Sequence, residues 1–219
     1  MDNKKIIVVG GTGFVGQGIL SALNNKDFEL HSLSRHQFSP TDATDQVTYH
    51  AADLNKPGEW QDLLREADWV VDAVGILLPN PFKHINYRNS SVQPAQRLLD
   101  VLATTHQTKF LFVSANATPF FLNAYLRAKL TVEHSAKALL NDRAYNVYPG
   151  IVYDKCIVYD KSRIYSYIPA IILVTLQRIP GLKFLQRYRP VSRKTFAIEV
   201  ENILNSKKST LLKRNIKIK

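Results

Sequence analysis

"IIVVGGTGFVGQGIL", Ile6–Leu20, decides how the rest of the chain is read. Four aliphatic residues run into a glycine cluster. A helical pattern follows, with Phe14, Val15, Ile19, Leu20 and Leu23 at helical spacing. An unbroken apolar run closed by glycine has the look of a strand buried on both faces of a parallel sheet. Gly10, Gly13 and Gly16 form G-x-x-G-x-x-G, and Gly11, Gly13 and Gly16 also satisfy G-x-G-x-x-G. The glycines allow a tight turn and a close approach to a phosphate, at which the helix then aims its N–H groups and positive dipole end. Such a motif carries meaning only between a strand and a helix, and that is where it stands. The expectation is a pyrophosphate cradle of Gly10, Gly11, Thr12, Gly13, Phe14, Val15 and Gly16.

Five further strands follow outward: "FELHSLSR", "QVTYH", "DWVVDAVGIL", "KFLFVSA" and "AYNVYPG". Helical patterns lie between them, in "KPGEWQDLLREA" opening at Pro57, over about 84–104 and over about 120–141. Strands alternating with helices predict an α/β fold, a Rossmann-type doubly wound parallel sheet with a small C-terminal lobe. The 219 residues suit one domain, or one domain with an attached lobe.

Charge divides the chain near Asp154. Residues 1–154 hold 14 Lys/Arg and 15 Asp/Glu, whereas residues 155–219 hold 15 and 3. The reading is a dinucleotide-binding domain over 1–154 and a basic, apolar-rich lobe over 155–219 that completes the same compact unit.

The end of the second strand chooses the cofactor. NAD-specific chains usually place Asp or Glu there for the ribose 2′-hydroxyl. This chain has "SLSRHQ", so Ser34 and Arg35 offer a hydroxyl and a fixed cation to a 2′-phosphate. NADP is favoured over NAD. Asp53, with Leu54 in "AADL", follows the third strand and is placed to accept from an adenine amino group.

Taken together, these motifs resemble the short-chain dehydrogenase/reductase superfamily, in its extended and atypical NAD-dependent epimerase/dehydratase branch. "GGTGFVG" resembles that branch's glycine motif, and Ala73, Val74 and Gly75 of "DAVG" stand at its fourth-strand motif. Asn86 in "INYRNSSVQPAQRLLDVL" matches its characteristic asparagine. "YLRAK" matches Y-x-x-x-K at Tyr125 and Lys129, and "YPGIVYD" keeps Pro149 and Gly150 of R-P-G. "YLRAK" and the compact C-terminal region look most like relatives of the complex I 39-kDa subunit. The resemblance implies nucleotide contacts from these residues, with Lys129 on the nicotinamide ribose and Tyr125 as general acid/base. Lys129, one turn away, is expected to lower the Tyr125 pKa. Ser114 is expected to donate to a developing oxyanion. Tyr148 and Asp154 depart from the family pattern, so two functions stand. One is a reductase, dehydrogenase or epimerase for a small or lipid-like carbonyl or alcohol. The other is a non-catalytic nucleotide-binding structural or assembly subunit.

Other chemistry is excluded by pattern. The six histidines form no H-x-H, H-E-x-x-H or Cys/His cluster, so no metal site is expected. G-x-S-x-G is absent, and the basic residues form no recognised nucleic-acid module. The lone Cys156 allows no internal disulfide and reads as a small buried residue. With an N-terminus lacking an export or organelle pattern, this points to the cytoplasm. Ile164–Leu176 is apolar but too short to span a bilayer, and reads as a helix of the lobe. With the cations around it, it fits a peripheral membrane or acidic protein contact through 155–219. "KKSTLLKRNIKIK", 207–219, follows the last helical pattern and is expected to be separable from the nucleotide-binding fold.

Overall fold

The apolar runs at the centre of the sheet become adjacent strands because each can bury both faces, and two less buried strands close its edges. In a computed structural model that describes residues 3–24, 26–154, 188 and 190–214, Lys4–Val9 is β1, Phe28–Ser34 β2, Thr48–Ala51 β3, Trp69–Asp72 β4, Lys109–Val113 β5 and Ala144–Val147 β6. All pair in parallel, in the order β3-β2-β1-β4-β5-β6. The order reverses between β1 and β4. That is the switch point beyond whose carboxyl ends an open α/β sheet binds its ligands.

Helices cover both faces. Trp60–Arg65 (α2), Gln93–Leu102 (α3) and Asn123–Leu140 (α4) pack Leu64, Leu98, Leu99, Val132 and Ala136 against Ile7, Val9, Val70, Phe110 and Phe112. Phe14–Leu23 (α1) and Arg193–Leu204 (α5) pack Ile19, Leu23, Phe196, Val200 and Ile203 against Ile6, Val8, Val71, Leu111 and Val113. Each Val, Leu, Ile or Phe among them contributes roughly 1.5–3 kcal/mol when fully buried. Ser192 caps α5 by accepting from the Thr195 N–H at 3.1 Å. Arg193 crosses Gly18 of α1, where a methyl would lie 2.5 Å from its Cγ, and pairs with Asp154 at 2.8 Å. Val152–Tyr153 (β7) and Val191–Ser192 (β8) form a second, two-stranded parallel pair.

Two helix readings are corrected. α2 starts at Trp60 rather than Pro57, because Gly58 opens a turn ahead of it, the Gln61 N–H donating to the Gly58 carbonyl at 3.0 Å and the Gly58 N–H to the Gln61 side chain. The pattern over 84–104 is helical from 87 to 102 but not α-helical throughout. A π-turn at Arg88–Val92 precedes α3, whose second residue is Pro94. Proline lacks the N–H and crowds the preceding turn, which widens the chain upstream. Cys156 and Ile164–Leu176 lie outside the described residues. No described helix is long and apolar enough to cross a membrane.

Candidate functional site

The glycine turn leaves β1 at the switch point. Gly10 sits at φ 78°, a conformation that favours glycine. A methyl on Gly16 would overlap the Gly10 carbonyl, so Gly16 lets α1 start against the turn. Gly13 differs. Its own methyl would meet only the Gly10 carbonyl oxygen, at 3.1 Å, and otherwise open space. No side chain caps α1 and no acidic residue occupies its first turn. An uncapped helix start beside an open glycine can receive a phosphate, and the residues present therefore fit a dinucleotide.

Around this cradle the predicted residues divide. Ser34 is tied to the turn, since its Oγ accepts from the Thr12 N–H at 3.3 Å and hydroxyl at 3.0 Å. Ala73 donates to the Val9 carbonyl, and Val74 lies against Gly10. Gly75 faces the Lys129 ammonium. Arg35 is exposed and makes no hydrogen bond or ion pair among the described residues. Asp53 is exposed, and its Oδ1 closes a turn by accepting from the Asn55 N–H at 2.9 Å. Leu54 is buried in the core beside α2 and α3. Asn86 and Asn89 exchange backbone-to-side-chain bonds at 3.0 Å across the start of the π-turn, so the Asn86 side-chain carbonyl is engaged locally.

Tyr125, Lys129 and Glu133 share one face of α4 at four-residue spacing. Lys129 is buried, donates to the Val113 carbonyl at 2.7 Å, and lies 4.5 Å from the Phe112 ring centroid. Burial lowers its pKa to about 8, against the opposing pull of Asp72 and Glu133. The expected lowering of Tyr125 does not occur. Burial, with Tyr87 at a ring separation of 6.1 Å, pushes the Tyr125 phenol up to about 12. Asp72, at the end of β4, is fully buried. Its Oδ1 accepts from the Val74 N–H at 2.9 Å, and burial raises it to about 6.

Ser114 is also corrected. Its hydroxyl donates to Glu133 Oε1, so its single hydrogen is not available to an oxyanion. Glu133 is in turn held by Arg214, whose Nη2 lies 2.7 Å from Oε1. Arg214 also donates to the Ala115 carbonyl at 3.0 Å and stacks 4.2 Å from the Tyr148 ring centroid. The Tyr148 N–H donates to the Leu211 carbonyl at 2.9 Å, and Leu211 is buried. Residues 210–214 are thus part of the fold beside β5 and β6, contrary to the expectation of a separable tail. Pro149 accepts from the Asn116 N–H at 2.8 Å, joining the loops after β5 and β6, and Gly150 follows it half-buried. The sequence reading missed Asp72, Glu133 and Arg214. For Asp72 a signal existed, a carboxylate inside an apolar strand run.

Known proteins are similar to this geometry and sequence. The sequence model of the NAD dependent epimerase/dehydratase family matches residues 6–153, more than half of the chain. MIOREX complex component 2 of Saccharomyces cerevisiae is 30% identical over 125 residues, covering 53% of this chain and 43% of that protein. The chain therefore matches less than half the length of this curated relative. Among solved structures, UDP-N-acetylglucosamine 4-epimerase from Bacillus cereus aligns over 94% of this chain and 75% of its own, at 17% identity and TM-score 0.62. MoeE5 in complex with UDP-glucuronic acid and NAD aligns over 80% and 60%, at 18% identity and TM-score 0.57. At these identities the solved structures share the fold.

Proposed function

The chain belongs to the NAD-dependent epimerase/dehydratase family, and on that premise we propose that it binds NAD(P), NADP in preference, and acts as a reductase, dehydrogenase or epimerase. The substrate class is a small or lipid-like carbonyl or alcohol. One observation carries this reading: Tyr125 and Lys129 stand one turn apart on α4, with Lys129 against Gly75 at the end of β4. The bound nicotinamide would supply hydride transfer. The cradle of residues 10–16 would hold the pyrophosphate, and Arg35 a 2′-phosphate. Lys129, anchored on the Val113 carbonyl, would orient the ribose. A phenol held near pKa 12 stays protonated at neutral pH, so Tyr125 would donate to a carbonyl oxygen. Ser114, its hydrogen given to Glu133, would accept from a substrate hydroxyl.

The test is Tyr125→Phe against a carbonyl panel, after thermal-shift measurements have established which nucleotide binds. Nucleotide affinity should survive, and turnover should fall about 10²–10⁴-fold. Parental turnover in the variant would overturn the assignment.

A second reading is a non-catalytic, nucleotide-binding assembly subunit. It is supported by the Ser114 hydroxyl being engaged by Glu133, and by a relative whose name is that of a complex component. In that reading the basic residues 155–219 contact an acidic protein or an anionic membrane, and the protein is cytoplasmic or peripheral at a membrane. Nucleotide binding without turnover on any carbonyl would put this reading first.

A further inference from the structure

The loops after β4 and β5 leave adjacent strands and meet at the mouth of the candidate site. Tyr87 joins them: its hydroxyl donates to the Leu77 carbonyl at 2.9 Å, and its ring faces Tyr125 at the start of α4. These loops expose large apolar side chains. Leu77 is 52% exposed, Leu78 65%, Phe82 98% and Phe121 70%. Single exposed apolar residues are ordinary, whereas several on one short loop beside cations mark a contact surface. The charge between them has one sign. Lys83, Arg88 and Arg127 are exposed, and residues 73–132 contain a single carboxylate, Asp100 on α3.

We propose that this rim, residues 77–88 with Arg127, docks on an anionic lipid surface. Apolar side chains would enter the headgroup boundary while the cations engage lipid phosphates, the two signals that peripheral attachment needs. The surface is distinct from residues 155–219 and does not depend on whether the site turns over.

The test uses the full chain in co-sedimentation with vesicles of phosphatidylcholine alone and of phosphatidylcholine mixed with phosphatidylglycerol. The parent should bind the mixed vesicles and release them in high salt. The pair Leu78→Ser with Phe82→Ser should weaken partitioning on the order of tenfold or more, because two side chains lose their apolar environment. Thermal stability should not change, since both residues are already exposed. Lys83→Glu with Arg88→Glu should weaken it on mixed vesicles alone. Three outcomes overturn the proposal: a parent that binds neither vesicle; a Leu78/Phe82 pair that binds as the parent does, which would assign binding to the basic C-terminal residues; and a parent that forms a dimer which this pair dissociates, which would assign the rim to a second copy.

Discussion

The turn after β1 and the turn after β5 leave the same edge of one parallel sheet, but different distances along the chain build them. Residues 10–16 shape the first almost alone, by leaving out side chains at Gly10 and Gly16. The second depends on Ser114 meeting Glu133, 19 positions on, and on Glu133 meeting Arg214, 81 positions further. Local geometry makes a cradle that a short motif announces. Long-range charge makes a site that no short motif can announce.

The largest effect should separate two glycines of the first turn. Gly16→Ala forces a methyl into the Gly10 carbonyl, where only backbone movement can relieve the overlap. A loss of at least about 4 kcal/mol is expected, enough to unfold a marginal domain. Gly13→Ala meets only the Gly10 carbonyl oxygen, at 3.1 Å, and should cost about 1 kcal/mol, from that close contact and as a poorer helix cap, while weakening nucleotide binding. Denaturant unfolding with nucleotide titration checks the pair. Equal stability of the two variants would remove the distinction between a packing glycine and a ligand-facing one.

The second turn should break from a distance. Arg214→Met leaves the Glu133 carboxylate buried without its cation, a loss of about 3 kcal/mol for a buried pair. Equilibrium unfolding measures it. Adding Glu133→Leu should recover part of the loss, because no buried charge then remains. A single variant as stable as the parent would mean that residues 210–214 do not hold the loop after β5.

How much was legible follows the same division. The central strands β1, β2, β4 and β5 were readable because each is a local apolar run that is largely buried, the edge strands β3 and β6 because they fall between helical patterns, and the cradle because its residues are consecutive. Tyr125 and Lys129 were placed on one face by spacing alone. The sign of the Tyr125 shift was not readable. Spacing put a cation nearby, but burial raises the phenol, with Tyr87 adding to it, and burial depends on the whole fold. Ser114 could be placed at a strand end, yet the direction of its hydroxyl depends on a glutamate one helix away. Pro94 was in view within the pattern over 84–104, and apolar periodicity masked its effect.

A pH profile sharpens the contrast at Lys129. Its pKa is about 8 in the folded protein and near 10.5 when exposed, so between these values the unfolded chain binds the extra proton. Stability from this residue therefore rises with pH from 8 toward 10, by about 2 kcal/mol at roughly 1.4 kcal/mol per pH unit. Lys129→Met should flatten that part of the curve, measured as the difference between parent and variant. A parallel pair of curves would mean that the ammonium is well solvated.

The smallest effect belongs to the one predicted residue of the first region that no described neighbour engages. Arg35 is exposed just beyond β2, while Ser34 beside it is tied to Thr12 in the glycine turn. An exposed arginine that touches nothing adds little to stability, so Arg35→Glu should leave the unfolding curve within about 0.5 kcal/mol of the parent. Its effect should appear only against a 2′-phosphate. Reversing the charge should raise the NADP(H) dissociation constant about tenfold, or ~1.4 kcal/mol, and change that for NAD(H) much less. Raised salt should shrink the difference, because an exposed charge pair is screened. Equal changes for both nucleotides would leave Ser34 as the only specific feature at the end of β2. The cofactor preference would then be set, like the turn after β5, by residues distant in the chain.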